Sequence, residues 1–399
     1  MADGYSVRAI LDSEREECLE MLDRAFDGTP NGYFVRYFEG DPDYKNDYCR
    51  VYPENGRIVS SLHICRREVR VGLSRLVMGG LANVGTEPDH RGKGYSSEVL
   101  RDSARFMNED EMDFSILYTG INAFYDRLGW RTLPVPYLFG KLEKSVAAAN
   151  EERYGVRVYN PDEDAPALLK VYEEFSGAML MSAVRSEFRW RNFTMHKFHP
   201  PWRIMLAEDD SGIVAYTVSK IHNDTLIFDE LGFSPGHEAA LSLLMKQDAS
   251  DAISQGAREV SLEPATHPAV TAIAAGIADE LEIRHQTGGM VMFFDLERTF
   301  GRLLPELARR VKAIGLNGSV AIKTEIGGVA LKADGSTIEI ANPSSQMDEA
   351  KLTQPDLARL IFGIGQVEGA DSSMSNNARE FLDRLFPSQP FVYWITDKF

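Results

Sequence analysis

The sequence has few cysteines and no long apolar run. Its three cysteines, Cys18, Cys49 and Cys65, are too few and too scattered to predict a disulfide framework or a zinc site. No apolar stretch reaches the ~20 residues that a helix needs to cross a bilayer, and the first residues lack the basic and apolar segments of a signal peptide. These absences predict a soluble protein of the reducing cytoplasm that uses neither a membrane nor a metal.

Positive charge is also scarce, because 60 Asp and Glu outnumber 43 Lys and Arg and leave a formal net charge of -17. Such a balance predicts no general affinity for nucleic acid or for anionic membranes. An acidic surface tolerates or attracts cationic substrates such as amines. It also simply keeps a soluble protein apart from its neighbours, and we prefer this second interpretation of the charge.

A glycine-rich turn lies in the first third of the chain. It follows an apolar run at 81–86 that predicts a strand, and it opens an amphipathic helix predicted from Tyr95 to about residue 108. The turn reads Arg91-Gly92-Lys93-Gly94-Tyr95-Ser96. Glycines allow close approach of the backbone, and the unpaired N–H groups and dipole of a helix start favour an anion. With two cationic side chains beside these groups, the turn predicts a phosphate site, although it fits neither the P-loop nor the dinucleotide fingerprint.

A second motif follows another strand, predicted at 113–118. It reads Phe124-Tyr125-Asp126-Arg127-Leu128-Gly129-Trp130. The order of strand, Arg-x-x-Gly-x-small turn, helix, strand and Phe-Tyr-x-x-x-Gly-aromatic segment resembles the Gcn5-related N-acetyltransferases. The resemblance implies an enzyme that binds acetyl-CoA. Ser96 stands where the family usually has Gly or Ala, and it is small enough to let the pyrophosphate approach.

The order of predicted elements divides the chain into three units. These units are 1–143, 144–297 and 298–399. The first has predicted strands at 57–65 and 68–72 and a last strand near 137–142, and the second has a predicted helix at 268–279 and a closing strand at 290–296. The second opens with a polar linker at 144–152 and then repeats the order of the first, which indicates a duplicated fold. In place of the basic turn it has Ser234-Pro235-Gly236-His237. Because no basic residue lies in that turn and Val270 falls where Tyr125 would, we expect this unit to bind no coenzyme A and to wall the substrate cleft.

The third unit combines helices with a strand meander. Its predicted elements are helices at 303–314, 355–363 and 376–385 and strands at 319–323, 328–332, 336–341 and 390–395. This small α+β unit resembles the sterol carrier protein fold. Two acetyltransferase-like units followed by such a unit are similar, over essentially the whole chain, to the enhanced-intracellular-survival (Eis) acetyltransferases. The resemblance implies a mixed α/β (α+β) fold class with tandem Gcn5-related folds.

The Eis resemblance implies two catalytic groups. In that family a C-terminal aromatic residue supplies its free carboxylate as the base, and Phe399 holds this place in the sequence. Tyr125 is the implied acid for the departing thiolate, because a phenol with a pKa near 10 is protonated at neutral pH. The alternatives are that Tyr125 is a packed aromatic and that the terminus is frayed, although apolar residues dominate the last positions.

The resemblance also implies the residues that hold acetyl-CoA, the co-substrate. Backbone N–H groups of the turn would bind the pyrophosphate, the preceding strand would pair with the pantetheine arm, and splaying at Gly85 would free an N–H for the thioester oxygen. These residues are Val84, Gly85, Thr86, Arg91, Gly92, Lys93, Gly94, Tyr95, Ser96, Ser97, Gly120 and Ile121. The implied partners are an amine-bearing small molecule or a lysine acceptor, without a metal, and further copies of the chain in a ring-like hexamer.

Other candidate residues have simpler explanations. His196 and His199 have a spacing that metals use but no third ligand nearby, and His90 fits a solvated turn. The basic-aromatic run that begins at Arg185 is expected to pack and to pair with acidic neighbours, with a contact to substrate as the alternative. The aromatics at 33–38 fit part of an acceptor pocket and a core equally well. A solvated surface position is the default for the carboxylates of Asp23, Asp27 and Asp397, with orientation of a cationic acceptor as the alternative.

The acceptor and the activity leave alternatives open. Family resemblance suggests aminoglycosides or other cationic drugs, but Lys398 places positive charge beside the terminal carboxylate and argues against polycations. A protein that only binds coenzyme A or a lipid is the alternative to a transferase. An open apolar tunnel in the third unit would favour lipid binding, whereas a final strand committed to the active site favours catalysis.

Overall fold

The computed structural model describes residues 6–30, 32–143, 153–192, 202–263, 266–365 and 372–399. In these residues the chain forms three β-sheets covered by helices, a mixed α/β fold as the sequence predicts. The expected linker at 144–152 and the pair His196 and His199 lie outside the described residues. Among the helices that are described, none is long and apolar enough to cross a membrane.

The elements are numbered in chain order. The strands are β1 Arg8–Ala9, β2 Cys49–Glu54, β3 Arg57–Val71, β4 Ser74–Thr86, β5 Phe114–Tyr118, β6 Arg131–Thr132, β7 Val135–Leu142, β8 Gly155–Val158, β9 Arg203–Asp209, β10 Gly212–His222, β11 Thr225–Phe233, β12 Glu259–Leu262, β13 Ala278–Gln286, β14 Gly289–Phe293, β15 Asn317–Thr324, β16 Gly327–Asp334, β17 Ile338–Ala341, β18 Asp348–Lys351 and β19 Ser373–Met374. The α-helices are α1 Arg15–Ala25, α2 Val35–Glu39, α3 Tyr95–Glu109, α4 Asn122–Asp126, α5 Pro161–Phe175, α6 Glu187–Asn192, α7 Glu238–Ser254, α8 Pro268–Ala274, α9 Leu296–Ile314, α10 Gln354–Phe362 and α11 Asn376–Leu385.

The first two sheets share one plan. The first has the strand order β1-β2-β3-β4-β5-β14-β6, and the second has the order β13-β7-β12-β11-β10-β9-β8. In each sheet a long antiparallel hairpin, β3 with β4 or β10 with β11, is followed by a helix and then by a parallel strand, β5 or β12. Helices α1 and α3 pack on the first hairpin, and α5 and α7 pack on the second. This repeated order agrees with the duplication that the sequence indicates.

The two sheets exchange their closing strands. β7 lies between β12 and β13 in the second sheet, and β14 returns from the second unit to lie between β5 and β6 in the first. The sequence predicts each as the last strand of its own unit, and the structure corrects that expectation. An apolar strand carries no local signal for the sheet it will join, because either sheet can bury it. The boundaries proposed at 143/144 and 297/298 therefore divide the sequence but not the sheets.

Two other predicted elements differ from the structure. The strands predicted at 57–65 and 68–72 are one strand, β3, because Arg67 is buried and its guanidinium donates to the Asp41 carboxylate at 2.8 and 3.0 Å instead of marking a turn. The helix predicted at 268–279 is the shorter α8, and β13 follows it. β13 is an edge strand with many exposed charged residues, which hides its strand pattern in the sequence.

The strand predicted at 390–395 is replaced by a tail that runs between two cores. In this described segment an isolated bridge joins Leu180 to Phe391, and a 3-10 helical turn, Ile395–Asp397, follows. Alternate side chains of this segment pack in different hydrophobic clusters. Val392 and Trp394 pack in the cluster of the second unit, whereas Phe391 and Tyr393 pack in the cluster that the first sheet shares with the third unit. The third sheet, β17-β16-β15-β18-β19, forms without the tail. The C-terminal residues therefore belong to the interior of the protein.

Candidate active site

The glycine-rich turn presents open backbone at the start of α3. Gly92 and Gly94 have φ angles of 80° and 90°, and a β-carbon built on either would meet nothing within 4 Å. Gly94 caps α3 without a side-chain hydrogen bond. In the described part of the chain, no group accepts a hydrogen bond from the N–H groups of Tyr95, Ser96 and Ser97. A helix start with free N–H groups and open space beside it suits an anion such as a phosphate.

Polar side chains fix the helix start to the sheet. The Ser96 hydroxyl lies 2.8 Å from that of Thr86, the last residue of β4. The Tyr95 hydroxyl donates to the Glu54 carboxylate at the end of β2. Behind them, the helix buries one apolar face on the sheet, which explains why this sequence continues as a helix. The free N–H groups are therefore held in a fixed position.

The two cations of the turn have different surroundings. The Arg91 guanidinium donates to the Ala25 carbonyl at 2.8 Å and so joins the turn to the end of α1. Lys93 is exposed, and it forms no ion pair with any residue that the structure describes. Lys93 is therefore free to meet an added anion, whereas Arg91 also holds the turn in place.

β4 separates from its parallel neighbour close to this turn. The pairing of β4 with β5 runs from Met78 opposite Phe114 to Leu81 opposite Leu117. β4 then continues to Thr86 without β5 beside it. The two strands thus diverge, so the last part of β4 stays paired with β3 on one edge and has unpaired backbone on the edge that faced β5.

A bulge bends β4 within the diverging part. Asn83 and Val84 together lie opposite Leu62 of β3, and Asn83 has a φ of 53°, which Asn tolerates better than most residues. The sequence-based expectation places the splay at Gly85, but Gly85 is back in register with Ser61. The bulge therefore lies at Asn83 and Val84, just before Gly85, and Val84 is among the residues expected to meet the pantetheine arm.

Tyr125 lies on the short helix α4 with its side chain buried in the core. Its ring meets that of Phe124 edge-on, with 5.0 Å between the centroids. Its hydroxyl forms no hydrogen bond with another described residue. Burial raises the pKa of Tyr125 above its ordinary value of 10.0, so the phenol keeps its proton at neutral pH. Gly120 and Ile121 are exposed in the loop that leads into α4. The loop is therefore open to a ligand, whereas the phenol is buried and keeps its proton.

The ring of Phe399 lies against the backbone of β4 at Gly80. A β-carbon on Gly80 would stand 2.0 Å from the ring, so only glycine leaves room for it. The ring centroid is also 5.9 Å from that of Tyr118 at the end of β5. The terminal residue is therefore docked where β4 and β5 begin to diverge. Sequence reasoning missed Gly80, although a glycine inside an apolar strand signals a close approach.

Lys398 pairs with a buried carboxylate next to the terminus. Its ammonium lies 3.8 Å from Oε1 of Glu263 and 4.7 Å from the centre of the Tyr118 ring. Burial raises the pKa of Glu263, and the Lys398 ammonium opposes that rise. The positive charge that the sequence places beside the terminal carboxylate is thus partly balanced by an acidic residue of the second unit.

An aromatic cluster packs on another side of the Phe399 ring. Phe34, Tyr37 and Phe38 are buried in it, as expected for core residues, and they border the terminus as well. His63 of β3 lies among them, with its ring centroid 4.6 Å from that of Phe38. Its Nε2 has no partner among the described residues, and burial lowers the pKa of His63 to about 3. Sequence reasoning missed this neutral imidazole, which local sequence does not distinguish from an ordinary strand residue.

The remaining candidates have ordinary surroundings with one exception. His90 lies 3.1 Å from Glu54, and Asp23 and Asp27 are exposed. Asp397 is fully buried, which corrects the expectation of a solvated carboxylate, and it accepts two hydrogen bonds from Arg185. The predicted pairing of Arg185 with acidic neighbours is therefore found, and the acidic neighbour belongs to the C-terminal tail.

The turn, the diverging strands and Tyr125 fall within one recognised domain. Residues 6–133 match the family model of the acetyltransferase (GNAT) domain. The chain carries a GNAT domain. A search of the curated proteins found no match to the sequence.

Solved structures resemble the chain well beyond this GNAT domain. A GCN5-related N-acetyltransferase from Kribbella flavida is 18% identical, with a TM-score of 0.71 and 98% of both chains covered. Another from Anabaena variabilis is 14% identical, with a TM-score of 0.73 and 99% of this chain and 100% of that chain covered. Eis1 from Mycobacterium abscessus is 13% identical, with a TM-score of 0.69 and the same coverage. At such identities the similarity establishes the fold over the whole length.

Proposed function

We propose that the protein is an acetyl-CoA-dependent N-acetyltransferase that acts on an amine. The observation that supports this proposal is the open helix start of α3 beside the diverging strands β4 and β5, inside a GNAT domain. The free N–H groups and Lys93 suit the pyrophosphate, and the unpaired backbone of β4 suits an arm that carries amides. A backbone donor aimed at the thioester oxygen would contribute about 3–4 kcal/mol to the transition state.

The proposed reaction is a direct transfer. The amine nitrogen attacks the thioester carbonyl, a C–N bond forms and the C–S bond breaks. The α-carboxylate of Phe399 takes the proton of the amine, and the Tyr125 hydroxyl gives its proton to the departing thiolate. Two features support these roles: the phenol of Tyr125 is protonated and unpaired, and the Phe399 ring is docked against Gly80.

The proposed acceptors are amine-bearing small molecules, including aminoglycosides and other cationic drugs, or lysine side chains. The Lys398 charge that argues against polycations is offset in part by Glu263. A panel of such amines, with free thiol release from acetyl-CoA as the readout, tests the proposal. Thiol release that depends on one class of amine supports it. Binding of coenzyme A or of a radiolabelled lipid without any transfer would favour a binding protein instead.

Reversing the charge of Lys93 is expected to weaken acetyl-CoA binding without harming the fold. A ligand that binds only the folded protein raises its melting temperature, and Lys93→Glu places a negative charge beside the proposed pyrophosphate. We expect most of the thermal shift caused by acetyl-CoA to be lost in this variant. Lys332→Glu, an equal charge change on exposed β16, is the control and should keep the shift. An undiminished shift in Lys93→Glu would contradict the phosphate assignment.

Replacing Gly80 by alanine is expected to displace the Phe399 ring. The new β-carbon would overlap the ring, and a shift of about 1 Å in a reacting group can cost about 100-fold in rate, so we expect at least a tenfold loss of acetyl transfer. Gly79→Ala is the matched control, because its β-carbon meets the flexible ends of Met107 and Met112 instead. Equal losses in the two folded variants would mean that the ring position does not matter.

Further proposals rest on the resemblance to Eis proteins. The third unit is proposed to be sterol-carrier-like, the second to bind no coenzyme A, and the assembly to be a hexamer in the cytoplasm. The turn before α7 has no basic residue other than His237, which lies 3.7 Å from Asp209. Sedimentation equilibrium measures the oligomer, and a single acetyl-CoA site per chain in calorimetry is the result expected for a second unit without a site.

A further inference from the structure

The second unit repeats the diverging strand pair of the first. The parallel pairing of β11 with β12 stops at Phe228 opposite Leu262, although β11 continues to Phe233. A bulge follows at once, because Asp229 has no partner between Phe228 and Glu230 in the pairing with β10. In the first unit the same two features, a lost parallel neighbour and a bulge, mark the opening beside the proposed acetyl-CoA site.

The C-terminal turn of the chain lies at this second opening. The Thr396 hydroxyl donates to the Glu230 carboxylate on β11. The Asp397 carboxylate accepts two hydrogen bonds from Arg185, at 2.9 and 2.7 Å, and Arg185 donates two more to Glu230, at 2.7 and 2.8 Å. Where the first unit opens towards a ligand, the second unit therefore holds the chain's own end.

This contact is dry and geometrically fixed. The side chains of Arg185 and Glu230 are 0% exposed and that of Asp397 is 1% exposed. The guanidinium also lies 4.0 Å from the centre of the Tyr172 ring, and the Tyr216 hydroxyl donates to Glu230 at 2.7 Å. Paired hydrogen bonds between a planar guanidinium and a carboxylate fix orientation as well as distance. The position of Asp397 is thus set by the second unit.

We propose that the second unit is a receptor for the chain's own C-terminal turn, and that Arg185 is the positioning residue that places Phe399 against Gly80. Two residues reach at most ~7 Å, so the anchored Asp397 confines the terminal residue to a small region. The Tyr393 hydroxyl, which donates to the Asp397 carbonyl at 3.0 Å, closes the turn further. The role of this placement in catalysis rests on the proposed function, whereas the docking of the C-terminal turn on the second unit does not.

The first test removes the anchor and follows the terminus directly. In the full-length Asp397→Ala protein, carboxypeptidase A is expected to release Phe399 at least about tenfold faster than from the wild type, because cleavage requires the tail to open locally. Asp164→Ala is the matched control. It removes a carboxylate that also accepts two hydrogen bonds from an arginine of the second unit, Arg157, at 2.6 and 2.8 Å. Unchanged protection in Asp397→Ala, or an equal loss in the control, would overturn the docking.

The second test measures turnover in the same proteins. Asp397→Ala keeps the pair of Arg185 with Glu230, whereas Arg185→Met would leave two buried carboxylates unpaired and is expected not to fold. With an accepted amine, kcat of Asp397→Ala should fall about tenfold through misplacement of the terminus, while the acetyl-CoA Kd stays unchanged. Arg185→Lys keeps the charge without the paired geometry, and its kcat should lie between those of the wild type and of Asp397→Ala. Fast Phe399 release with unchanged kcat would overturn the positioning role. If the wild type acetylates no amine, the proposed function fails, and the carboxypeptidase result still decides the docking.

Discussion

Extending the chain by one glycine after Phe399 is expected to lower acetyl transfer by about two orders of magnitude. The extra residue moves the α-carboxylate by about 3–4 Å, and a misplacement of even 1 Å can cost about 100-fold. The Phe399 ring can remain against Gly80 in the extended protein, so folding and acetyl-CoA affinity should be unchanged. Steady-state kinetics with an accepted amine, together with calorimetry of acetyl-CoA binding, measure the two quantities separately.

A glycine added at the N-terminus is the matched control and should leave the rate unchanged. Phe399→Leu is a second comparison, because it shortens the ring contact but keeps the carboxylate at the same backbone position. Full activity of the glycine-extended protein would show that the terminus is structural. The base would then be sought among the side chains of the first unit, beginning with His63, whose Nε2 is unpaired in the described structure.

Replacing Tyr125 by phenylalanine is expected to lower kcat by about 10²–10⁴-fold, the range of general acid catalysis. The change removes one hydroxyl and keeps the ring that packs beside Phe124. Because that hydroxyl has no hydrogen-bond partner among the described residues, its loss leaves no protein group unsatisfied. Thermal stability and acetyl-CoA affinity should therefore stay close to those of the wild type.

Tyr48→Phe is the control for this substitution. Tyr48 packs in the same core cluster as Tyr125, but its hydroxyl donates to Asp110 at 3.1 Å. Removing this hydroxyl costs a hydrogen bond. It removes no proposed proton donor, so kcat should not change. The pH profile gives an independent check. Burial raises the pKa of Tyr125, so the acid form persists up to and above pH 10, and no alkaline loss of rate from this group is expected below about pH 10. An unchanged kcat in Tyr125→Phe would make Tyr125 a packing residue.

Local chemistry explains why the turn and the tyrosine helix could be predicted. Gly92, Gly94 and the amphipathic pattern of α3 lie within one short stretch, and their backbone angles follow from the residue types. The contact between Gly80 and Phe399 joins opposite ends of the chain, and no local pattern encodes it. The bulge at Asn83 instead of Gly85 shows the same limit, because its position depends on how β3 pairs with β4.

The tail shows how a correct pattern can predict the wrong partner. An unbroken apolar run such as 391–395 is typical of a strand that is buried on both faces. The segment is indeed extended and buried on both sides, but its two faces contact hydrophobic clusters of different units instead of two sides of a sheet. Burial could be predicted from composition, whereas the identity of the burying surfaces is a tertiary property.

Because β14 lies between β5 and β6, the first sheet cannot be completed while only the first unit has been made. During synthesis at about 5–20 residues per second, roughly ten seconds or more separate the emergence of Tyr118 from that of Phe293. Over that interval β5 keeps an open edge on the side that β14 will occupy, and β7 has no partner strand until β12 and β13 have been made. The two sheets must therefore mature together. A fragment that ends at residue 143 would expose both unpaired edges, and aggregation is the expected fate of such a fragment.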